Sequence, residues 1–429
     1  MNERIAIIDG LRTPFSKAGG KLKTVQADDL GAVVVREVLI RTGLKGNQID
    51  EVVIGNVAQP VHAANIARVI TLKAGLPQTV PAATVHRNCA SGMESVSTAM
   101  NKIHAGEAQI MLIGGTESMS NIPLIFGPEM TAFYERLWRA KTTSDKLRVL
   151  AGFRLRFLKP VVGVIQGLTD PVCGLIMGMT AEILAREFHI TRIQQDDYAL
   201  KSHQKAIAAT KAGILQEEMM PFPIPPDFKA ILREDEGPRE NQTMEALAKL
   251  PPYFDRKNGT VTVGNSCPIT DGAAAMVVMK ESQAKAMGYK PLAFLRAYAY
   301  AGLDPSRMGL GPLYATAKVL QKTGMKLSDF ERIEINEAFA AQILACEKAF
   351  GSAEFAKTHL NQSTPLGTLN MDILNVNGGA IALGHPVGTT GSRLLITLAK
   401  ELHRAGKQVG LATLCVGGGQ GAAFVVEAT

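Results

Sequence analysis

Apolar and polar positions change period along this chain in a repeating order. Arg4–Ile8 and Glu51–Ile54 are compact apolar runs of strand length. Between them, Asp28–Thr42 sets apolar residues at helical spacing behind an acidic start, and Gly43 fits its stop. Ala63–Ala74 reads as a further helix. Val85–Ser95 (VHRNCASGMES) then runs from a short apolar lead-in into a small-residue turn, after which Met93, Val96 and Met100 recur at helical spacing. The expected order is strand, sharp turn, helix, with Cys89 at or just before the first helical turn. Ala108–Ile113 reads as strand and the GGTES after it as a glycine turn.

The pattern then repeats itself. Val38–Val57 (VLIRTGLKGNQIDEVVIGNV) aligns without a gap on Val319–Ala338 (VLQKTGMKLSDFERIEINEA), and His104–Ser118 lines up with Arg404–Gly419. Repeats of this length, in the same order, predict two similar βα halves and not a solenoid. The fold class is therefore α/β, with mostly parallel sheets covered by helices. Such sheets hold ligands at the carboxyl ends of their strands, so loops from both halves can meet at one site.

An insertion, residues 120–252, separates the halves. Pro123–Asp170 carries Arg136, Arg139, Lys141, Lys146, Arg148, Arg154, Arg156 and Lys159 against Glu129, Glu135, Asp145 and Asp170. Trp138, Phe153, Phe157 and Leu158 are interleaved with them. Such a segment suits a membrane surface or a docking partner, or else packs its apolar side on its own body. Gly178–Gly213 reads as helical, and Pro221–Lys229 (PFPIPPDFK) as an extended connector.

Composition narrows the setting. A hydrophobic fraction of 46% and 41 glycines suit a sizeable core with tight turns. Five cysteines without a CxxC pair argue against a disulfide framework and for a reducing compartment. The chain enters a strand-like run at once and has no long uncharged apolar stretch, so a cytoplasmic location is expected. A net charge of +7 fits an anionic partner or simply a basic surface. No GxxxxGK[ST] or HExxH occurs, so neither a phosphate loop nor a catalytic metal is expected.

Four polar clusters carry candidate chemistry. Cys89 stands before a helix, where free N–H groups and the macrodipole favour a thiolate; a buried core cysteine is the plain alternative. Asn336-Glu337 follows a strand. His385 lies in Gly384-His385-Pro386-Val387-Gly388. Cys415 opens the glycine segment Cys415–Gly419, expected on a turn after the last long strand. Each is weak alone.

Together, NCASG, NEAFA, GHPVG and CVGGG stand in the order of the thiolase family, which this chain resembles over essentially its whole length. The resemblance implies duplicated βαβαβαββ halves in a five-layered α-β-α-β-α core with an inserted loop domain. It divides the chain into 1–119 with 253–285, the insertion 120–252, and 286–429. It implies transfer of acyl groups between coenzyme A thioesters, with no permanently bound cofactor. Cys89 would take the acyl group, His385 its proton, and Cys415 would move a proton at the substrate's alpha carbon. His385 with an Asn336-held water would form one oxyanion hole, and the backbone N–H groups of Cys89 and Gly417 the other. Met177, Arg239, Ser266 and Met308 fall where the family contacts coenzyme A. Cys267 departs from the common small-Ser-Gly pattern, and Ile176 replaces a histidine found in short-chain enzymes. The insertion resembles the long-chain branch, which implies β-oxidation, and the β-subunits of fatty-acid oxidation complexes. The expected partners are then coenzyme A thioesters, a second copy in a homodimer or tetramer, and a hydratase/dehydrogenase subunit or a membrane surface, with no nucleic acid. A short-chain acetoacetyl-CoA thiolase and a non-catalytic lipid carrier on the same fold are the alternatives. Intact Cys89, His385 and Cys415 argue against the carrier.

Overall fold

The computed structural model describes residues 3–429. The first half runs β1 (Ile5–Arg12), α1 (Ala27–Thr42), β2 (Glu51–Gly55), α2 (Ile66–Lys73), β3 (Ala82–Val85), α3 (Ser91–Ala105) and β4 (Ile110–Ser118). The insertion carries α4 (Pro128–Arg139), α5 (Thr143–Ala151), α6 (Met177–Glu187) and α7 (Arg192–Lys211). The chain then returns with β5 (Thr270–Lys280) to pair with β4 and β1. The second half repeats the series: β6 (Ala293–Gly302), α8 (Gly311–Thr323), β7 (Arg332–Ile335), α9 (Ala340–Phe350), α10 (Ala380–Leu383), α11 (Val387–Ala405), β8 (Val409–Val416) and β9 (Gln420–Glu427). Its third strand is reduced to one parallel bridge, Ile333 with Leu374.

The strands form one path, β7-β8-β9-β6-β1-β5-β4-β2-β3, with the two-residue strand Ser16–Lys17 beside β5. Within each half the strands share a direction except one, β5 or β9, which lies reversed among them. The halves join where Ile5–Ile7 pairs antiparallel with Ala293–Leu295.

Side-chain alternation along the strands builds the layers. Val52, Ile54 and Leu112 pack against Val34, Val38, Ile66 and Ile70 of α1 and α2. Their neighbours Val53, Met111 and Ile113 face the opposite way, into a core shared with α3 and α11. Ala412, Leu414, Ala422 and Phe424 of the second half enter that same core. Ile333, Ile335, Leu411 and Val425 pack outward on α8 and α9. The result is helices, half-sheet, helices, half-sheet, helices. Full burial of such side chains on both sheet faces contributes about 1.5–3 kcal/mol each.

The central helices cross at glycines. A Cβ on Gly92 would lie 2.6 Å from the Ser392 nitrogen, and one on Gly391 would collide with the Met93 nitrogen. Ser392 Oγ donates to Gly92 O at 3.1 Å. The first turns of α3 and α11 therefore lie side by side, and so do the loops that lead into them.

Two expectations are corrected, and a third, the helical stretch after residue 178, is refined. GGTES is not a turn: β4 continues through Ser118, because Gly114 and Gly115 admit the Ala274 and Gly388 carbonyls against a bare backbone. Cys415 does not follow the last strand: it lies near the end of β8, and β9 comes after it. The helical stretch 178–213 is two helices, broken at His189, whose φ is +49°.

Candidate active site

The turn after β3 brings Cys89 to the end of the first half-sheet. Asn88 takes a left-handed φ of +42°, and α3 begins two residues after Cys89, at Ser91. The Cys89 side chain is half-buried, and burial pushes its thiol up against the pull of the Gly417 and Cys89 N–H groups. The expectation of a resting thiolate is thus reversed: desolvation outweighs the helix terminus.

His385 enters from the second half, one residue before the N-cap of α11. It is buried, and burial together with the Arg393 charge lowers its imidazole to about 3. The ring is therefore neutral. Its Nδ1 lies 2.6 Å from Thr390 Oγ1, and that hydroxyl donates to Pro386 O at 3.1 Å. Nδ1–H then donates to Thr390, leaving Nε2 as the bare, proton-accepting nitrogen. Nε2 is buried and meets no protein partner.

Asn336 follows β7 and donates its N–H to Thr413 O at 3.1 Å. Parallel pairing of Ile335 with Thr413 sets it level with the end of β8, where Cys415 lies. Its side-chain oxygen and nitrogen are both buried without a protein partner, a polar site able to hold a water. Cys415 is buried, and its thiol is held well above the usual range, first by burial and then by Cys89, Cys346 and Cys267. A strap at Ser266–Pro268 joins these parts. Cys267 N–H donates to Ala338 O at 3.0 Å, and His385 N–H donates to Pro268 O at 3.3 Å.

Cys89, Asn336, His385 and Gly417 thus lie on connecting segments that gather at the end of β8, where Cys415 stands. The residues expected near coenzyme A are more dispersed. Met177 belongs to the site, since a Cβ on Gly417 would sit 3.2 Å from its sulfur. Met308 is buried in the outer core of the second half. The Ser266 hydroxyl is committed to Thr262 O at 2.7 Å. Arg239 is exposed; its N–H donates to His203 Nδ1 at 3.2 Å, and burial, with the Arg239 charge second, depresses both His203 and Lys17. Among the described residues, no group of three His, Cys, Asp or Glu is placed to hold a metal ion.

Sequence reasoning missed Asn88, Thr390 and Glu117. Glu117 was hidden in the supposed glycine turn. Its carboxylate is buried and accepts N–H groups from Val57 (3.1 Å), Ala58 (2.9 Å) and Gly388 (2.9 Å), so it grips the loop that carries His385. Its one signal was a carboxylate at the polar end of a strand that begins as an apolar run.

Residues 5–282 match the family description "Thiolase, N-terminal domain", and residues 289–428 match "Thiolase, C-terminal domain". The chain belongs to the thiolase family. A 3-ketoacyl-CoA thiolase of Pseudoalteromonas translucida is 41% identical over 426 residues, 99% of this chain and 97% of the relative. One from Yersinia enterocolitica is 42% identical with the same coverage. Among solved structures, Bacillus anthracis acetyl-CoA acetyltransferase has a TM-score of 0.87 at 37% identity, covering 100% of this chain and 99% of that one. Human mitochondrial 3-ketoacyl-CoA thiolase in complex with CoA has a TM-score of 0.85 at 36% identity, covering 100% and 98%. The duplicated βαβαβαββ halves and the five layers agree with this membership. The thiolase motifs NCASG, NEAFA, GHPVG and CVGGG are the loops that meet here.

Proposed function

We propose that this protein is a 3-ketoacyl-CoA thiolase, an acyl-CoA:acetyl-CoA C-acyltransferase of fatty-acid β-oxidation. The supporting observation is the juxtaposition of a half-buried thiol, a neutral imidazole with a bare Nε2 and a buried, protonated second thiol. His385 Nε2 takes the Cys89 proton as the sulfur attacks the 3-keto carbon. The bond between carbons 2 and 3 breaks, and its electron pair stays on carbon 2 as the enolate of acetyl-CoA. Cys415 gives its proton to that carbon; a thiol held protonated at rest suits this direction. Coenzyme A then attacks the acyl-Cys89 thioester, its thiol proton passing to Cys415, and Cys89 recovers its own from His385. The oxyanions are met by an Asn336-held water with protonated His385, and by the N–H groups of Cys89 and Gly417.

The chain then divides into 1–119 with 253–285, which supplies the nucleophile, the insertion 120–252, and 286–429, which supplies His385 and Cys415. Met177 would line the acyl end and Met308 would back it. Ser266 would lie along the coenzyme A path, with Arg239 beside Lys17 at its phosphates. Long acyl chains are preferred, in line with the apolar Ile176. A kcat/KM series peaking at acetoacetyl-CoA would favour the short-chain reading instead.

The decisive experiment compares Cys89→Ala with Cys415→Ala. Cys415→Ala should still be acylated by acetyl-CoA but lose methyl-proton exchange and thiolysis by about a hundred- to ten-thousand-fold. Parental exchange in Cys415→Ala would remove it from the mechanism.

The protein would work in the cytoplasm as a homodimer or tetramer, which sedimentation would test. Its basic insertion would dock on an anionic membrane or a hydratase/dehydrogenase partner. Trp138 is 88% exposed and Leu155 80%, while Met130, Phe133 and Phe157 form a small core beneath. No helix among the described residues is long and apolar enough to cross a membrane, so the contact would be peripheral. Neutralising Arg154, Arg156 and Lys159 together should weaken vesicle or partner binding and leave soluble-substrate turnover intact. Unchanged association in both assays would refute the docking role.

A further inference from the structure

The CVGGG loop has a mechanical problem. Gly418 and Gly419 take φ of +87° and +74°, and Gly417 precedes them. The β8–β9 ladder pins the loop's ends, with Val416 opposite Gln420, and Leu303 N–H donates to Gly419 O at 2.8 Å, but Gly417 has no side chain to fix its own peptide. Yet the Gly417 N–H must stay aimed at the Cys89 sulfur.

The first half supplies the restraint. Asn88 Nδ2 donates to Gly417 O at 2.7 Å. Its left-handed φ turns this side chain across to the other half, a conformation that asparagine tolerates far better than most residues. Consecutive residues thus flank Gly417: Asn88 binds its carbonyl, and its N–H lies near enough to the Cys89 sulfur to favour the thiolate. Arg87 ties the far end of the loop through Nη1 to Gln420 Oε1 at 3.1 Å. Arg87 is itself fixed by Glu94 at 2.5 Å and lies over the Tyr300 ring at 4.1 Å.

We infer that Asn88 is a positioning residue: its amide clasps the glycine loop of the second half and so aims the Gly417 N–H at the nucleophile and the oxyanion formed there. The inference rests on the thiolase reading for its kinetic consequence, but not for its geometry.

The test uses Asn88→Gly, which keeps the left-handed turn and removes the clasp, and Asn88→Asp, which keeps the shape and turns a carboxylate oxygen toward a carbonyl. Iodoacetamide labelling of Cys89 across pH, read by peptide mass analysis, reports the N–H at the sulfur without any substrate. Its midpoint should rise by about half a pH unit or more in Asn88→Gly. With 3-ketoacyl-CoA, kcat should fall by about ten- to a hundredfold while KM changes by less than about threefold. Asn88→Asp should be the worse of the two. Melting temperatures close to the parent's are expected for Asn88→Gly.

A parental labelling midpoint in both variants would overturn the inference, whatever the kinetics. So would a change in KM alone, or a loss of activity that follows unfolding in both. If the parent itself failed to cleave 3-ketoacyl-CoA, the thiolase reading would fall, and the labelling midpoint would still decide the clasp.

Discussion

The two halves each turn a strand into a central helix, and the two corners are built differently. In the first half, residues 86–90 join β3 to α3. So short a turn needs the left-handed Asn88, and it leaves the Cys89 side chain half-buried. In the second half, the corresponding path runs from the Leu374 bridge through α10 to Val387. Its extra length folds over His385, which is buried and held at Nδ1 by Thr390 and at its N–H by Pro268. The tight corner leaves its thiol partly open to solvent, where the proposed thioester would arrive. The long corner withdraws a group behind it and fixes its tautomer. In the proposed mechanism one duplicated unit thus supplies both a nucleophile and a base, since the crossing of α3 and α11 sets the two corners side by side.

The comparison breaks most completely at the exposed corner. Cys89→Ala should abolish acyl-enzyme formation, read as loss of both the burst and the covalent adduct. At the buried corner, His385→Asn should slow acylation by about a hundred- to ten-thousand-fold without abolishing it. If Cys89→Ala still acylated another cysteine at the parental rate, the roles of the corners would be wrong.

The contact between the corners comes next. Gly391→Ala would press a methyl against the Met93 nitrogen. Overpacking of this kind costs about 1–3 kcal/mol. A displacement of about 1 Å between Cys89 and His385 can cost a hundredfold in rate. Both a lowered Tm and a lowered kcat are expected; a parental kcat at lowered Tm would show that the crossing holds the fold and not the site.

Much of this was readable in the chain, for reasons that differ by element. α1 appeared almost to the residue, because Asp28 and Asp29 mark its start and Gly43 its stop. The duplication appeared because both halves keep the same helix–turn–strand spacing. The long strand β4 was misread at Gly114 and Gly115, since their glycines answer to close neighbours and not to a turn. The ionisation of Cys89 was also misread: helix position is local, whereas the desolvation that wins comes with packing on a core that both halves build. Thr390 and Asn88 were invisible as well. Asn88 finds its partner, Gly417, only when the two halves meet, and Thr390 finds His385 only once the Gly384–Val387 turn is formed.

Thr390 offers a smaller effect that separates orientation from basicity. Thr390→Val keeps the shape and removes the acceptor for His385 Nδ1–H. A buried hydrogen bond lost in this way costs about 1–3 kcal/mol. We expect kcat to fall about tenfold, with KM unchanged, because the ring loses its preferred tautomer and not its presence. A parental kcat would mean that burial alone orients His385.

The smallest effect on turnover concerns the carboxylate beneath the His385 corner, whose titration is read in stability instead. Burial pushes Glu117 up to about 7 from an ordinary value of 4.5, outweighing the N–H donors of Val57, Ala58 and Gly388. The folded state therefore keeps this proton over a range where the unfolded chain has released it. Its contribution to stability is fully present below about pH 4.5 and is lost as pH rises toward 7, with no further change above. Glu117→Gln removes the titration and leaves a neutral group of the same size. The stability difference between parent and variant, measured by denaturant unfolding at several pH values, should therefore slope between pH 4.5 and 7 and flatten above it. The slope is bounded by about 1.4 kcal/mol per pH unit. Glu334, raised to about 8 despite Arg393, titrates in both proteins and cancels in the difference. A flat difference throughout would mean that the donors, and not desolvation, set the ionisation of Glu117. The loop that carries His385 would then rest on a permanent carboxylate, and the buried corner would be as insensitive to pH as a purely apolar one.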